Sequence, residues 1–166
     1  MTVERRSRQF SSKRLEGAAR RLINASTLCA LATVSAGGRA HINHMYFAWN
    51  ERYELFWYSD RDSIHSRNLA TRPTAAITIY DSHQVNGKPD RGIQLFGTAG
   101  IARGEEARRV YVRKFRVDPS AYTAYRFRPR MVKLFDEISI APGMLLTARV
   151  TGDGLAWVRT EVWVTA

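Results

Sequence analysis

The chain has 166 residues, enough for one domain with a sizeable core, and its 45% apolar and 25% charged residues are the balance of a globular protein. No apolar run approaches the roughly 20 residues of a membrane-spanning helix, and the basic start MTVERRSRQFSSKRLEG lacks the apolar stretch of a secretory signal. A single cysteine, Cys29, excludes an internal disulfide framework and fits a cytoplasmic location, while the net charge of +11 favours anionic partners.

The whole chain, 1–166, reads as one domain preceded by a basic tail over about residues 1–12. Leu15, Ala18, Ala19, Leu22 and Ile23 fall at helical spacing and predict a helix over 13–25. LCALATV is a β-leaning apolar run, AGGR a turn, and a second strand begins at Ala40. RYELFWYS is a third strand. A helix over 62–71 stops before Arg72-Pro73, as the restriction ahead of proline requires.

TAAITIYD is a fourth strand, SHQVNGKPDRG a polar loop, and IQLFGTAGIA a fifth strand in which Gly97 and Gly100 mark bulges or bends. A helix over 104–116 carries Glu105 and Glu106 in its first turn and basic residues further on, which suits the helix dipole. DPSAYTAY predicts a short helical turn capped by Asp118, with Pro119 at its first position. RFRPRMVKLFDEISI is a sixth strand, with Pro129 at an edge or bulge. LLTARVTGDGLAWVRTEVWV closes the chain as a hairpin around Gly152-Asp153-Gly154. Many short strands with two or three helices predict a mainly β fold, a closed or half-closed barrel with flanking helices.

The stretch YSDRDSIHSRNLATRP, residues 58–73, holds the densest chemistry. A strand ending in Ser59 and a helix starting near Ser63 leave backbone N–H groups beside two hydroxyls, with His65 and Arg67 adding positive character. That is an anion cradle. Asp60 and Asp62 can instead cap the same N–H groups, which makes an ordinary helix start. The stretch alone leaves both readings open.

The order LATVSAGGRAHI, then S-x-x-x-S-x-H-x-x-N-L from Ser59 to Leu69, then QLFGTA from Gln94, resembles the flavin-binding split-barrel family that includes pyridoxamine 5′-phosphate oxidase. The resemblance covers roughly residues 15–137. It implies a six-stranded split β-barrel paired as a homodimer, with FMN in grooves at the dimer interface, and a flavin-dependent oxidoreductase. By the same resemblance, Asn43, His44, Met45 and Tyr46 lie along the flavin ring, largely through backbone groups. Ser59, Ser63 and His65 hold the phosphate, with Tyr58 beside them, and Gln94 matches a position that often reaches the flavin.

The chain also departs from the family. His65 stands where lysine is frequent, Asn43 and Ala48 stand where the oxidase has basic residues, and the carboxy-terminal Arg-x-His signature is replaced by Trp157-Val158-Arg159-Thr160. These departures argue against pyridoxamine phosphate as substrate and leave the substrate and electron donor unnamed. No side chain is an evident general acid or base; His44 and Tyr46 are candidates by location alone. Relatives that use a deazaflavin, or bind haem through a histidine, supply the alternatives within the class.

Other constellations carry less. His41 and His44 are three apart on a strand and point to opposite faces, so no metal site is expected. Ser63, His65 and Asp62 are too close in sequence for a hydrolase relay, and no G-x-S-x-G elbow occurs. Ten basic side chains between residues 103 and 133, against Glu105, Glu106 and Asp118, read as a solvated face. The rival from another class is a basic β-barrel that binds nucleic acid by stacking bases on aromatics, although neither an RNP-like nor a zinc-finger motif is present.

Overall fold

The computed structural model describes residues 2–164. In chain order the elements are β1 (Thr2–Arg6), α1 (Ser12–Asn24), β2 (Leu28–Val34), β3 (Ala40–Tyr46), β4 (Ala48–Trp49), β5 (Leu55–Ser59), α2 (Ile64–Thr71), β6 (Thr74–Tyr80), β7 (Arg91–Ile101), α3 (Glu106–Phe115), β8 (Thr123–Asp136), β9 (Met144–Thr151) and β10 (Gly154–Val164). The fold is mainly antiparallel β with three helices, as the sequence predicts, and the six expected strands and the terminal hairpin are all present. Strand order is β1-β10-β9-β8-β7-β6-β2-β3, with β5 pairing both β4 and β8. No helix among the described residues is long and apolar enough to cross a membrane.

The chain forms two compact units, and β6, β7 and β8 contribute residues to both. The first holds residues 1–26, 78–95 and 130–166. Here β1 pairs antiparallel with β10, from Thr2 opposite Val164 to Arg6 opposite Thr160. Part of the expected tail is therefore a strand; its polar, fully exposed sequence TVERR hides that, because an exposed edge strand needs no apolar face. Helix α1 buries Leu15, Ala18, Ala19, Leu22 and Ile23, the five positions its periodicity marks. Its Glu16 carboxylate accepts a hydrogen bond from the Leu155 N–H at 3.2 Å, next to Gly154, whose φ of +127° closes the β9–β10 hairpin.

The second unit holds residues 27–77 and 96–129. Strands β2 and β3 form a hairpin from Leu28 opposite Tyr46 to Val34 opposite Ala40, turned by Gly38 at φ +84°. A second, tight hairpin joins β4 to β5. Arg52 and Glu54 belong to its turn rather than to the expected strand, and Tyr53 takes a left-handed φ of 61°. The turn is held by a charged network: Asn50 Nδ2 donates to Glu54 at 2.8 Å and to Glu106 at 3.0 Å, and Arg52 pairs with both carboxylates. Glu106 sits in the first turn of α3, whose Ala107 and Val110 pack with Ala48 and Phe56.

At Gly97 the backbones of β7 and β8 come so close that an added Cβ would lie 2.0 Å from the Arg128 carbonyl oxygen. Gly100, expected to mark a second bulge or bend, faces open space, and β7 runs unbroken past both. Pro129 falls where β8 passes from pairing with β5, which ends opposite Phe127, to pairing with β9, which starts opposite Met131. A residue with no N–H to donate suits that gap. DPSAYTAY gives one turn, closed by Tyr122 N–H to Pro119 O at 3.0 Å, before β8 takes over at Thr123. Tyr125 is drawn into the strand by stacking on Trp57, ring centres 5.6 Å apart.

Candidate functional site

Strand β3 has a single sheet neighbour, β2, so its other side presents unpaired backbone N–H and C=O groups. Its side chains alternate: Met45 is buried and His41 and Asn43 are partly covered, while Ile42, His44 and Tyr46 stand exposed. The same exposed face continues onto β2, where Leu28 lies opposite Tyr46 and Ala32 opposite Ile42. Leu28, Val34, Ile42 and Tyr46 make it an apolar surface.

Tyr46 and Tyr58 are both held by α3. The Tyr58 ring meets Tyr111 edge-on at 5.0 Å, Tyr46 meets Phe115 edge-on at 5.8 Å, and Tyr111 lies 4.7 Å from Phe115. Tyr111 and Phe115 escaped the sequence reading, although a spacing of four on a helix puts two rings on one face. Burial raises the pKa of both Tyr58 and Tyr111, and for Tyr58 the nearby Arg108 opposes the rise. Both phenols therefore stay protonated donors at neutral pH. Lys114 donates from Nζ to the Phe47 carbonyl at 2.9 Å and lies 4.3 Å from the centre of the Phe47 ring and 5.3 Å from that of Phe115. Burial lowers its pKa, opposed by neighbouring Cys29. Cys29 is itself buried, with its thiol pushed up to about 12, so it offers no thiolate at physiological pH.

The start of α2 is capped, though by Ser63 and not by Asp60 or Asp62. Ser63 is the N-cap: its hydroxyl oxygen accepts from the Ser66 N–H at 3.4 Å. It donates to Ser66 Oγ at 2.8 Å, and Ser66 donates on to the Asp60 carbonyl at 2.7 Å. Asp60 accepts instead from the Asp62 N–H at 2.9 Å, within the loop. The Ser63 hydroxyl proton is thus committed internally. With the Ser63 proton given to Ser66, Ser59 is the donor across the long 3.5 Å contact between the two hydroxyls, a weak bond that it can exchange for an anion. The N–H groups of Ile64 and His65, in the first turn, have no intrahelical acceptor. Three donors are therefore available to an anion.

His65 is 5% exposed, with ring nitrogens 3.2 and 3.4 Å from Ser63 Oγ. Burial, and secondly His41, lower its pKa, so the imidazole is neutral at physiological pH. On the same side of α2, buried Asn68 donates to Thr33 Oγ1 of β2 at 3.0 Å.

The structure thus brings Ser59, Ser63 and His65 together at the β5–α2 junction, and joins Tyr46 and Tyr58 through α3. Asn43, His44 and Met45 lie on β3 in the same unit. Gln94 is exposed on β7 within the other unit. Among the described residues no three His, Cys, Asp or Glu side chains cluster as metal ligands.

This arrangement is that of a split-barrel protein: a β-rich fold with an edge hairpin, followed by a strand and helix that end in hydroxyls and free N–H groups. The sequence model of the pyridoxamine 5′-phosphate oxidase family matches residues 15–147, and the chain belongs to that family. No curated protein sequence gives a match.

Solved structures share the fold at low identity. A haem-binding protein from Mycobacterium smegmatis superposes with a TM-score of 0.62 at 17% identity, over 96% of this chain and 90% of that one. HutZ, the haem storage protein of Vibrio cholerae, gives 0.59 at 19% identity, over 74% and 94%. A protein of the pyridoxinephosphate oxidase family from Clostridium acetobutylicum, related to general stress protein 26, gives 0.57 at 16% identity, over 85% and 97%.

Proposed function

We propose that the second unit binds FMN and that the protein is a flavin-dependent oxidoreductase acting as a homodimer. The observation that carries this reading is the set of free donors at the β5–α2 junction. The Ser59 hydroxyl and the Ile64 and His65 N–H groups suit a phosphate, as helix starts do. The edge strand β3 offers backbone donors and acceptors to a polar ring system, and the apolar β2–β3 face suits a second copy of the chain. Bound there, the flavin would supply hydride chemistry. The chain's own part is to hold the phosphate without a cation from His65, and to present protonated Tyr58 and a neutral imidazole near it.

Haem is the second reading, supported by the two haem proteins among the structural neighbours and by His44, exposed on β3. Titration with FMN, riboflavin, a deazaflavin and haemin separates the readings. FMN is expected to bind, with riboflavin weaker by about tenfold or more for want of phosphate hydrogen bonds. Ser59→Ala should narrow that gap. Equal affinity for FMN and riboflavin would remove the phosphate cradle, and a Soret band from haemin without FMN binding would replace the flavin.

A further inference from the structure

A second site lies on the other side of α2. In the second unit a groove of about 390 Å³ is bounded by α2, the end of β7 and Tyr125 of β8. Arg61, Arg67 and Arg103 line it, over a wall formed by Leu69, Ile101 and Tyr125. All three arginines are exposed, and none forms an ion pair with a carboxylate among the described residues; Arg67 donates only to the Asp62 carbonyl. Tyr125, by contrast, is buried and stacked on Trp57, so the wall is fixed.

The groove opens on the side of α2 away from His65 and Asn68 and meets the helix start at Ser66, which accepts from Ser63. At 3.6 residues per turn, the groove residues Ser66, Arg67 and Ala70 lie about 130° or more round the axis from the middle of the His65–Asn68 face, while Leu69 lies between the two. That opposite face points to β2 and β3, as the Asn68–Thr33 hydrogen bond fixes it.

We propose that this groove binds a phosphorylated organic ligand with at least two phosphate groups on an apolar or aromatic body. Three arginines line one groove with no carboxylate in ion-pair contact among the described residues, so up to three positive charges are left for a ligand. One phosphomonoester brings about −1.5 to −2, so a diphosphate matches the site better. Guanidinium forks read phosphate oxygens in pairs, and the low-entropy apolar wall gives the rest of the ligand a surface. The volume lies within the range of about 300–1,000 Å³ usual for small-molecule sites.

The test is calorimetric titration of the full chain with ADP, pyrophosphate and inorganic phosphate at fixed ionic strength. ADP should bind most tightly and phosphate most weakly. Arg103→Ala should weaken ADP by about tenfold, the low end for charge-assisted hydrogen bonds because the arginines are exposed. Lys13→Ala, outside the groove, should leave ADP affinity unchanged. Gly100→Val is the second probe. Gly100 lines the groove and a Cβ there meets nothing within 4 Å, so the strand should tolerate the change while ADP loses affinity relative to pyrophosphate.

FMN affinity should be the same in wild type and Arg103→Ala, which keeps this result apart from the fate of the flavin reading. ADP binding that is absent, or that falls equally in Lys13→Ala and Arg103→Ala, would overturn the proposal, the latter by exposing attraction to overall charge alone.

Discussion

Buried neutral, His65 should make the protein acid-labile in a defined window. Its pKa lies below the ordinary 6.5, first because burial disfavours imidazolium and then because His41 is near. The unfolded chain therefore takes up the proton before the folded one does. The resulting stability is complete above the unfolded value. It declines as pH falls below about 6.5, and stops declining once the folded-state value is passed. Each pH unit inside the window costs at most about 1.36 kcal/mol, so from 6.5 down to 5 the loss from this one group is bounded near ~2 kcal/mol. Urea unfolding of wild type and His65→Gln between pH 7.5 and 5 measures it. The variant starts from its own baseline, since the amide replaces a packed ring, but should lose less stability on acidification. Parallel curves, or a wild type that gains stability as pH falls, would refute a neutral His65 and restore the cationic phosphate ligand that the family's lysine suggests.

Two further outcomes test the frame of the site. Gly97→Ala should destabilise by about 3 kcal/mol, the upper end for overpacking, because its Cβ would meet backbone and not a side chain that can turn away; Gly100→Ala should stay within about 0.5 kcal/mol, and matched urea midpoints would disprove the close approach. Asn68→Ala should cost about 1–3 kcal/mol by leaving Thr33 unsatisfied, and the added change Thr33→Val should recover part of that loss; strictly additive effects in the double-mutant cycle would show that the two side chains are not coupled.

Most of the fold was legible because its signals are local. The α1 periodicity, the proline after α2 and the glycine hairpins each fix their element within a few residues. What stayed hidden depends on neighbours distant in sequence. Strand β1 has no apolar pattern and exists because β10 offers an edge. Tyr53 reads as a strand residue, yet Asn50 and Arg52 both donate to Glu54 and Glu106, and the chain turns there. Gly97 reads as a bulge or bend, but its purpose is proximity to Arg128.

The site shows the same limit more sharply. Two serines and a histidine around a helix start are the same letters whether they cap the helix or hold a ligand. What distinguishes them is where each proton goes. Ser63 donates to Ser66 and Ser66 to Asp60, so that pair is spent on the helix, while Ser59 gives only a long 3.5 Å contact and two backbone N–H groups have no acceptor in the helix. The histidine is decided by burial, which no residue next to it in sequence reveals: 5% exposure makes it neutral where a lysine's longer stem would let its charge reach solvent. Phosphate affinity at this junction therefore rests on neutral donors and the helix N-terminus. On the proposed flavin reading it should be correspondingly modest, and most of the binding energy would then have to come from the flavin ring and from a second copy of the chain.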